Sequence, residues 1–235
     1  MDIGGFQKLS MIDYPGKLAS VIFTMGCNFR CPFCHNMDLV ERKLPSVPEQ
    51  DILNYLEKSK DLIEGVVITG GEPTIQKDLV DFIKKLKGMD LYVKLDTNGT
   101  NPVVIEKLIK DNLVDFISMD VKAPLEKNKY SLCSGVNLSE DMINSMKKSI
   151  ELISSSGIEH EFRTTFVPKI MDENDILKIA EFLPKNSKYV IQQFVPQKSI
   201  RTDLKFEAPA EKDKIVELAE ACKKHIKVVE ARVYI

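Results

Sequence analysis

The stretch ASVIFTMGCNFRCPFC, residues Ala19–Cys34, joins an apolar, β-branched run to a loop that holds three of the five cysteines. Its first seven residues have the composition of a buried β-strand. Cys27, Cys31 and Cys34 follow, so one loop can direct several thiolates at a single inorganic centre. In barrels of alternating strands and helices, the active site lies at the C-terminal ends of the strands. The stretch therefore predicts a first strand and, directly after it, a reactive loop that carries Cys27, Cys31 and Cys34.

Apolar runs of strand length recur along the chain and alternate with amphipathic stretches of helical period. The further runs are GVVITG, LYVKLDT, VDFISMDV, HEFRTTFV, KYVIQQFV and KVVEARVYI, and the helical stretches are Pro48–Ser59, Gln76–Lys87, Pro102–Asp111, Ser139–Ser154, Glu173–Leu183 and Pro209–Lys224. This order predicts an α/β fold with a mainly parallel sheet and outer helices, of the partial (β/α)6-type TIM barrel class. We expect residues 1–235 to form a single domain, and residues 123–138, which lack a clear element, to form a functional loop or lid.

The composition narrows the range of partners. Lysine and arginine number 33 against 35 acidic residues, and the net charge of −2 gives no reason to expect nucleic-acid or anionic-membrane binding. The N-terminal residues lack the apolar core of a signal peptide, and no window has the length of a membrane span. We therefore expect a cytoplasmic protein, in which cysteines serve metal binding or catalysis more often than disulfides.

The three clustered cysteines fit more than one kind of site. A structural zinc ion takes four protein ligands, and the fourth is missing from this loop. An iron–sulfur cube held by three cysteines keeps one iron open to a substrate or cofactor. The alternatives are a zinc knuckle completed by His35, Cys133 or Cys222, or buried cysteines without a chemical role.

The pattern Cys27-x3-Cys31-x-Phe33-Cys34 resembles the signature of the radical S-adenosylmethionine (SAM) enzymes. The resemblance implies the radical SAM fold and a [4Fe-4S] cluster held by the three cysteines. It also implies that SAM chelates the open iron through its amino and carboxylate groups. Phe33 would then lie near the adenine, although a phenylalanine at this position also suits simple packing of the loop.

A second motif follows the next predicted strand. Gly70 and Gly71 precede Glu72 and Pro73 at a strand-to-helix junction, where glycines allow unusual backbone angles and close approach to a ligand. On its own, a glycine pair there is more often an ordinary turn. GGEP after the cysteine loop resembles the family motif that binds the amino group of SAM, and the two motifs together are far more specific than either alone.

Later strand ends carry further polar residues. Acids at these positions are usually helix caps or turn formers. DTNG, DVK and the arginine of EFRTTFVP nevertheless resemble segments of the activases of glycyl-radical enzymes. That resemblance implies that Asp96, Thr97 and Asp120 help to hold a monovalent cation beside SAM and that Lys122 contacts SAM. Arg163 would contact SAM or the substrate backbone, and its alternative role is an ordinary salt bridge.

The resemblance to these activases extends from about Ile12 to Pro168 and includes those of pyruvate formate-lyase and anaerobic ribonucleoside-triphosphate reductase. It implies reductive cleavage of SAM and use of the 5′-deoxyadenosyl radical to generate a glycyl radical on a partner enzyme, most specifically the anaerobic ribonucleotide reductase. A flavodoxin- or ferredoxin-type protein would donate the electron. The rivals are a radical SAM enzyme acting on a small molecule such as a modified nucleoside, and a zinc-binding interaction module.

Two regions remain without an assigned role. The C-terminal third, together with Cys133 and Cys222, carries no motif that indicates a function. The turn SMIDYPGK, residues Ser10–Lys17, has the chemistry of a simple hairpin turn, and the alternative is that it lines the entrance used by a partner.

Overall fold

The computed structural model describes residues 1–196, 204 and 208–234. Its strands are β1 Ile3–Ser10, β2 Ala19–Thr24, β3 Gly65–Gly70, β4 Tyr92–Thr97, β5 Phe116–Asp120, β6 Glu159–Phe166, β7 Lys188–Gln193 and β8 Val228–Arg232. Its α-helices are α1 Met37–Val40, α2 Glu49–Lys58, α3 Leu79–Lys87, α4 Pro102–Lys110, α5 Lys127–Ser134, α6 Glu140–Ser155, α7 Glu173–Phe182 and α8 Lys212–Cys222. A short 3-10 helix covers Pro73–Ile75. None of the helices in these described residues is long and apolar enough to cross a membrane.

The eight strands follow one another in sequence order within one sheet. β1 runs antiparallel to β2, whereas β2 with β3, β3 with β4, β6 with β7 and β7 with β8 are parallel pairs. Each predicted strand and helix is present, so the prediction of a mainly parallel α/β fold is confirmed. The alternation of one strand with one helix explains this topology, because parallel neighbours need a crossover connection.

Contacts between residues divide the chain into two compact units. The first consists of residues 1–28, 36–97 and 103–118, and the second of residues 29–35, 98–102 and 119–235, within the described ranges. The first unit contains β1 to β4, and the second contains β6 to β8. The single domain expected from the sequence stays a prediction.

The core of the first unit explains why its strands are so uniformly apolar. Val66, Val67 and Ile68 of β3 are all at least 99% buried, although successive side chains point to opposite faces of the sheet. Both faces of this strand are therefore covered, as expected for a parallel sheet. On one face Val21 and Val67 pack with Tyr14, Ala19 and Phe116.

The N-terminal hairpin was only partly anticipated. β1 was not predicted, because its glycines and polar residues hide the strand pattern in IGGFQKLS. Ser10 of β1 pairs with Ala19, the first residue of β2, so the turn between them lies at the N-terminal end of β2. The reactive loop follows the other end of that strand. The hairpin-turn interpretation is therefore confirmed, and the hypothesis that residues 10–17 line the entrance to the site stays a prediction.

Residues 123–138 also differ from expectation. They contain α5, which ends at Gly135 in the left-handed conformation at φ +71°. The sequence did not reveal this helix, because KNKYSLCS lacks a clear apolar stripe. A residue at positive φ is a common helix terminator, and glycine adopts it without strain.

Candidate functional site

In the first unit, hydrogen bonds hold the backbone between the end of β2 and Cys27 of the reactive loop. The amide of Gly26 donates to the carbonyl of Leu39, at 2.8 Å. The side-chain amide of Gln76 donates to the carbonyl of Met25, at 2.7 Å, and Gln76 is only 9% exposed. These bonds fix the backbone directly before Cys27, so the loop begins from a defined direction.

The glycine pair after β3 is bound to the same backbone. The amide of Gly71 donates to the carbonyl of Thr24 at 2.8 Å, and the amide of Glu72 donates to the carbonyl of Gly26 at 2.9 Å. A Cβ atom at position 71 would lie 1.9 Å from the Gly26 carbonyl oxygen, and Gly70 has φ +104°. Both glycines are therefore required by close approach to the chain's own backbone and, at Gly70, by a positive φ. The unusual backbone angle was predicted from the sequence, whereas close approach to a ligand stays a prediction.

Glu72 joins this turn to the end of β4. Its Oε1 accepts from the amide and the hydroxyl of Thr74, at 3.0 and 2.6 Å, and from the hydroxyl of Thr97, at 2.7 Å. The side chain is 99% buried, and Pro73 begins the 3-10 helix directly after it. The carboxylate of Glu72 thus holds the turn in shape and sets the position of Thr97. Sequence reasoning placed Glu72 in the site but did not foresee this link.

Asp96 lies beside Thr97 at the C-terminal end of β4 and contacts the ammonium of Lys94. The side chain of Lys94 is 3% exposed and that of Asp96 is 15% exposed. Lys94 was not among the site residues predicted from the motifs. The sequence does hold one signal for Lys94. It lies two residues before Asp96, and residues i and i+2 of a strand share a face of the sheet.

In the second unit, the middle of the reactive loop packs on α5. The amide of Arg30 donates to the carbonyl of Ser134 at 2.8 Å. A Cβ atom at Gly135 would lie 1.9 Å from the Arg30 carbonyl oxygen. The rings of Phe29 and Tyr130 are 6.3 Å apart, in a tilted arrangement. The segment expected to be an irregular loop or lid therefore supplies a helix that supports the residues between the cysteines.

Tyr130 also supports the strand end that carries Lys122. Its hydroxyl accepts from the amide of Lys122, at 3.2 Å. Complete burial raises the pKa of Tyr130 well above its ordinary value, so this hydroxyl remains protonated. One buried side chain thus contacts both the reactive loop and the segment after β5.

The carboxylate of Asp120 contacts two cationic side chains. Arg163 Nε lies 2.8 Å from its Oδ1, and Lys122 Nζ lies 3.4 Å from its Oδ2. Desolvation acts to raise the pKa of Asp120, but the charges of Arg163 and Lys122 outweigh it and lower the pKa to about 2. The structure therefore brings these three predicted site residues together, and it shows the salt bridge that was the alternative role of Arg163.

The donor set of the reactive loop suits a metal cluster. No disulfide joins any of the five cysteines. Cys27 and Cys34 are half-buried, whereas Cys31 and the neighbouring Phe33 are each 7% exposed. Within residues 1–196, 204 and 208–234, the structure does not gather three or more His, Cys, Asp or Glu side chains closely enough to hold a metal ion. Thiolates on one loop with partial access to solvent nevertheless fit the ligand chemistry of an iron–sulfur cluster.

The two remaining cysteines have different surroundings. Cys133 and Cys222 are fully buried, and burial raises the pKa of each thiol to about 11. A thiol with so high a pKa carries almost no thiolate at neutral pH, and the thiolate is the metal ligand. Their burial therefore suits the packing role of a small apolar side chain.

Comparison with known proteins agrees with this chemistry. The family model for the radical SAM superfamily matches residues 21–192. The chain is 38% identical over 226 residues to a protein of Methanocaldococcus jannaschii named "Putative glycyl-radical enzyme activating enzyme", covering 95% of this chain and 92% of that protein. It is 25% identical over 194 residues to the pyruvate formate-lyase-activating enzyme of Clostridium pasteurianum, covering 80% of this chain and 78% of the relative.

A solved structure shows the same fold. Streptococcus suis SuiB bound to its precursor peptide SuiA superposes with a TM-score of 0.68 at 16% identity, covering 90% of this chain. The chain spans about half of the length of SuiB, at 48%. Membership of this family implies a [4Fe-4S] cluster and SAM as cofactors, and it favours the cluster over a zinc knuckle. With the cysteine loop, the GGEP turn and the matched fold in place, the chain belongs to the radical SAM superfamily.

Proposed function

We propose that this protein is an activase that generates a glycyl radical on a partner enzyme. The observation that carries the proposal is the direct bonding of the GGEP turn to the start of the cysteine loop, through Glu72 and Gly26. It brings together the two motifs assigned to SAM and to the cluster. The similarity to proteins named as glycyl-radical activating enzymes supports the type of reaction.

The residues of this chain have separable roles in the proposal. Cys27, Cys31 and Cys34 would hold the cluster, and Phe33 would pack near the adenine of SAM. Gly70, Gly71, Glu72 and Pro73 would present backbone groups to the amino group of SAM. When bound, the reduced cluster and SAM supply one-electron cleavage to methionine and a 5′-deoxyadenosyl radical, and the protein supplies orientation and shielding from side reactions.

Charged residues would complete the SAM site. Lys122 and Arg163, both in contact with Asp120, offer cationic groups to the carboxylate of SAM or to the substrate backbone. Asp96, Thr97 and Asp120 offer side-chain oxygens to a bound monovalent cation, and the two carboxylates would require positive charge nearby, from side chains or from such a cation. The close contact of Asp96 with Lys94 favours a side chain as one source of that charge.

The partner in this proposal is a glycyl-radical enzyme, and anaerobic ribonucleotide reductase is the specific candidate. A flavodoxin- or ferredoxin-type protein would donate the electron. Action in the cytoplasm belongs to the same proposal, because none of the five cysteines forms a disulfide and reduced thiols are maintained in that compartment.

One anaerobic experiment tests the function. Reconstituted, reduced protein is mixed with SAM and anaerobic ribonucleotide reductase, and 5′-deoxyadenosine and the EPR spectrum are measured. We expect deoxyadenosine and a glycyl doublet on the reductase. Cys31→Ala should abolish both, whereas the matched variant Cys222→Ala should retain both.

Two other outcomes separate the alternatives. Deoxyadenosine without a glycyl signal, also after substitution of pyruvate formate-lyase as partner, would contradict the activase proposal and favour a small-molecule substrate. One zinc per chain, with no iron or labile sulfide after anaerobic reconstitution, would contradict the cluster itself.

A further inference from the structure

Lys94 lies at a position where a lysine is unusual. It is in the middle of β4, and its side chain is 3% exposed. Its Cα partner across the parallel pair is Val67 of β3, which in turn pairs with Val21 of β2. The row of neighbours on this face is apolar, so the ammonium cannot be stabilised there by water. A charge buried in this way requires a partner of opposite sign.

The carboxylate of Asp96 is that partner. The two residues are separated by one position on β4, so both side chains project from the same face, and their charged groups are in contact. Lys94 Nζ also lies 5.8 Å from the centroid of the Phe116 ring, within the range of a cation–π interaction. Lys94 therefore extends along the apolar cluster and ends at the carboxylate.

This pair has a defined place in the site. Asp96 precedes Thr97, whose hydroxyl is bonded to Glu72 of the GGEP turn. The positive charge beside Asp96 is the ammonium of Lys94, which belongs to the same strand. The Asp96 carboxylate therefore has a counter-charge that does not come from an ion in solution. In the second unit, Asp120 likewise contacts the side-chain cations of Arg163 and Lys122.

We propose that Lys94 is a positioning residue that acts as a fixed internal cation: its ammonium group orients the Asp96 carboxylate and supplies the counter-charge in place of a monovalent cation taken from solution. The role of Asp96 toward SAM rests on the proposed function. The fixed charge itself is a property of the SAM-free protein and can be tested there. A merely structural ion pair would also be lost on mutation, but it would not be replaced selectively by a dissolved cation.

The test compares wild type with Lys94→Met, which keeps the length of the side chain and removes the charge. Lys87→Met is the matched control, since Lys87 pairs with Asp115 in the same unit, outside the residues assigned to the site. The thermal midpoint of SAM-free protein and the SAM affinity of reconstituted protein are each measured in potassium chloride and in choline chloride, at about 0.1 M ionic strength.

We expect wild type and Lys87→Met to respond equally to the two salts. Lys94→Met should bind SAM about tenfold more weakly in choline, the loss expected when a buried carboxylate lacks its counter-charge. Potassium should restore most of that affinity and raise the thermal midpoint of the SAM-free variant selectively. Lys94→Met with Asp96→Asn, which removes both charges, should fold more stably than Lys94→Met and lose the potassium response.

Two results would overturn the inference. One is a wild type whose midpoint or SAM affinity already depends on potassium over choline. The other is a Lys94→Met protein that responds to potassium no more than wild type does; if Lys94→Met does not fold, it is a double variant that still responds to potassium. If wild type binds no SAM in either salt, the proposed function fails, while the response of the SAM-free midpoint still decides whether Lys94 replaces a cation.

Discussion

Arg163 Nε donates to Asp120 Oδ1 across 2.8 Å, and this contact joins β6 to the end of β5. It is charge-assisted, and its donor is always ionised in proteins. Because Lys122 contacts the other carboxylate oxygen, Asp120 has a cation at each side. The orientation of this carboxylate is therefore set before any ligand binds.

The first prediction concerns the pH dependence of this contact. The pKa of Asp120 is about 2 in the folded protein, below the value near 3.9 of an unfolded aspartate. A lowered folded pKa stabilises the protein above the unfolded value, and that stability is lost as pH falls through the folded pKa. The difference in unfolding free energy between wild type and Asp120→Asn should therefore be constant from about pH 7 to 5 and shrink below about pH 4.

Urea denaturation at each pH measures that difference. Asp141→Asn, an exposed substitution in the first turn of α6, serves as the control and should change stability by less than about 0.5 kcal/mol. A difference for Asp120→Asn that stays constant down to about pH 3 would contradict the lowered pKa.

The second prediction concerns Gly71. Gly71→Ala places a Cβ atom 1.9 Å from the backbone oxygen of Gly26, so one of the two chain segments must move. We expect a loss of about 2–3 kcal/mol in unfolding free energy, typical of overpacking, together with lower iron content after reconstitution. Gly88→Ala is the control, because its Cβ atom would meet nothing closer than 3.4 Å. Equal stability and iron content in the two variants would show that the approach of Gly71 to Gly26 is unimportant.

The third prediction concerns Tyr130. Tyr130→Phe removes the hydroxyl that accepts from the amide of Lys122, and the packing against Phe29 is kept. A buried amide without a partner costs about 1–3 kcal/mol, so the variant should be less stable by that amount and should bind SAM more weakly. Chemical denaturation and equilibrium binding measure the two effects. Tyr92→Phe, at a tyrosine that is 46% exposed, should leave both unchanged.

The fourth prediction concerns thiol reactivity in iron-free protein. Burial raises the pKa of Cys133 and Cys222 to about 11, so less than about 0.1% of each is thiolate at pH 7.5. Cys27 and Cys34 are half-buried and accessible. Iodoacetamide should therefore alkylate Cys27 and Cys34 before Cys133 and Cys222, as followed by peptide mass spectrometry. Unfolding in urea should abolish this difference in labelling rate. Rapid labelling of Cys222 in native protein would contradict its burial.

Much of the fold could be predicted because its signals are local. The strands from β2 to β8 and the helices from α2 to α4 and α6 to α8 all have a hydrophobic period that can be read within a short window. β1 and α5 lack such a period. β1 forms because its backbone pairs with β2, and α5 is positioned by contacts with Arg30 and Phe29. The contacts of α5 join residues far apart in sequence, and the pairing of β1 depends on a second strand, so the pattern within either segment cannot show them.

The residues of the site also divide into those that have a local sequence signal and those that only tertiary contacts reveal. The resemblance to family motifs indicated the cysteines, the GGEP turn, Asp96, Asp120 and Lys122. It did not show that the Glu72 carboxylate bonds to Thr97, because the two residues are 25 positions apart. Nor did it indicate Lys94, since a lysine in a strand is normally solvated and only its burial in the structure reveals a paired charge.

The paired backbone bonds of Thr24 and Gly26 with Gly71 and Glu72 have a consequence for protein engineering. A designer who transplants the cysteine loop into another scaffold cannot move it as an independent peptide, because part of its support is backbone from the following strand end. A portable module must therefore include at least the strand pair β2–β3 with both of its terminal turns. Grafts of the loop alone would carry the ligands without the geometry that aims them.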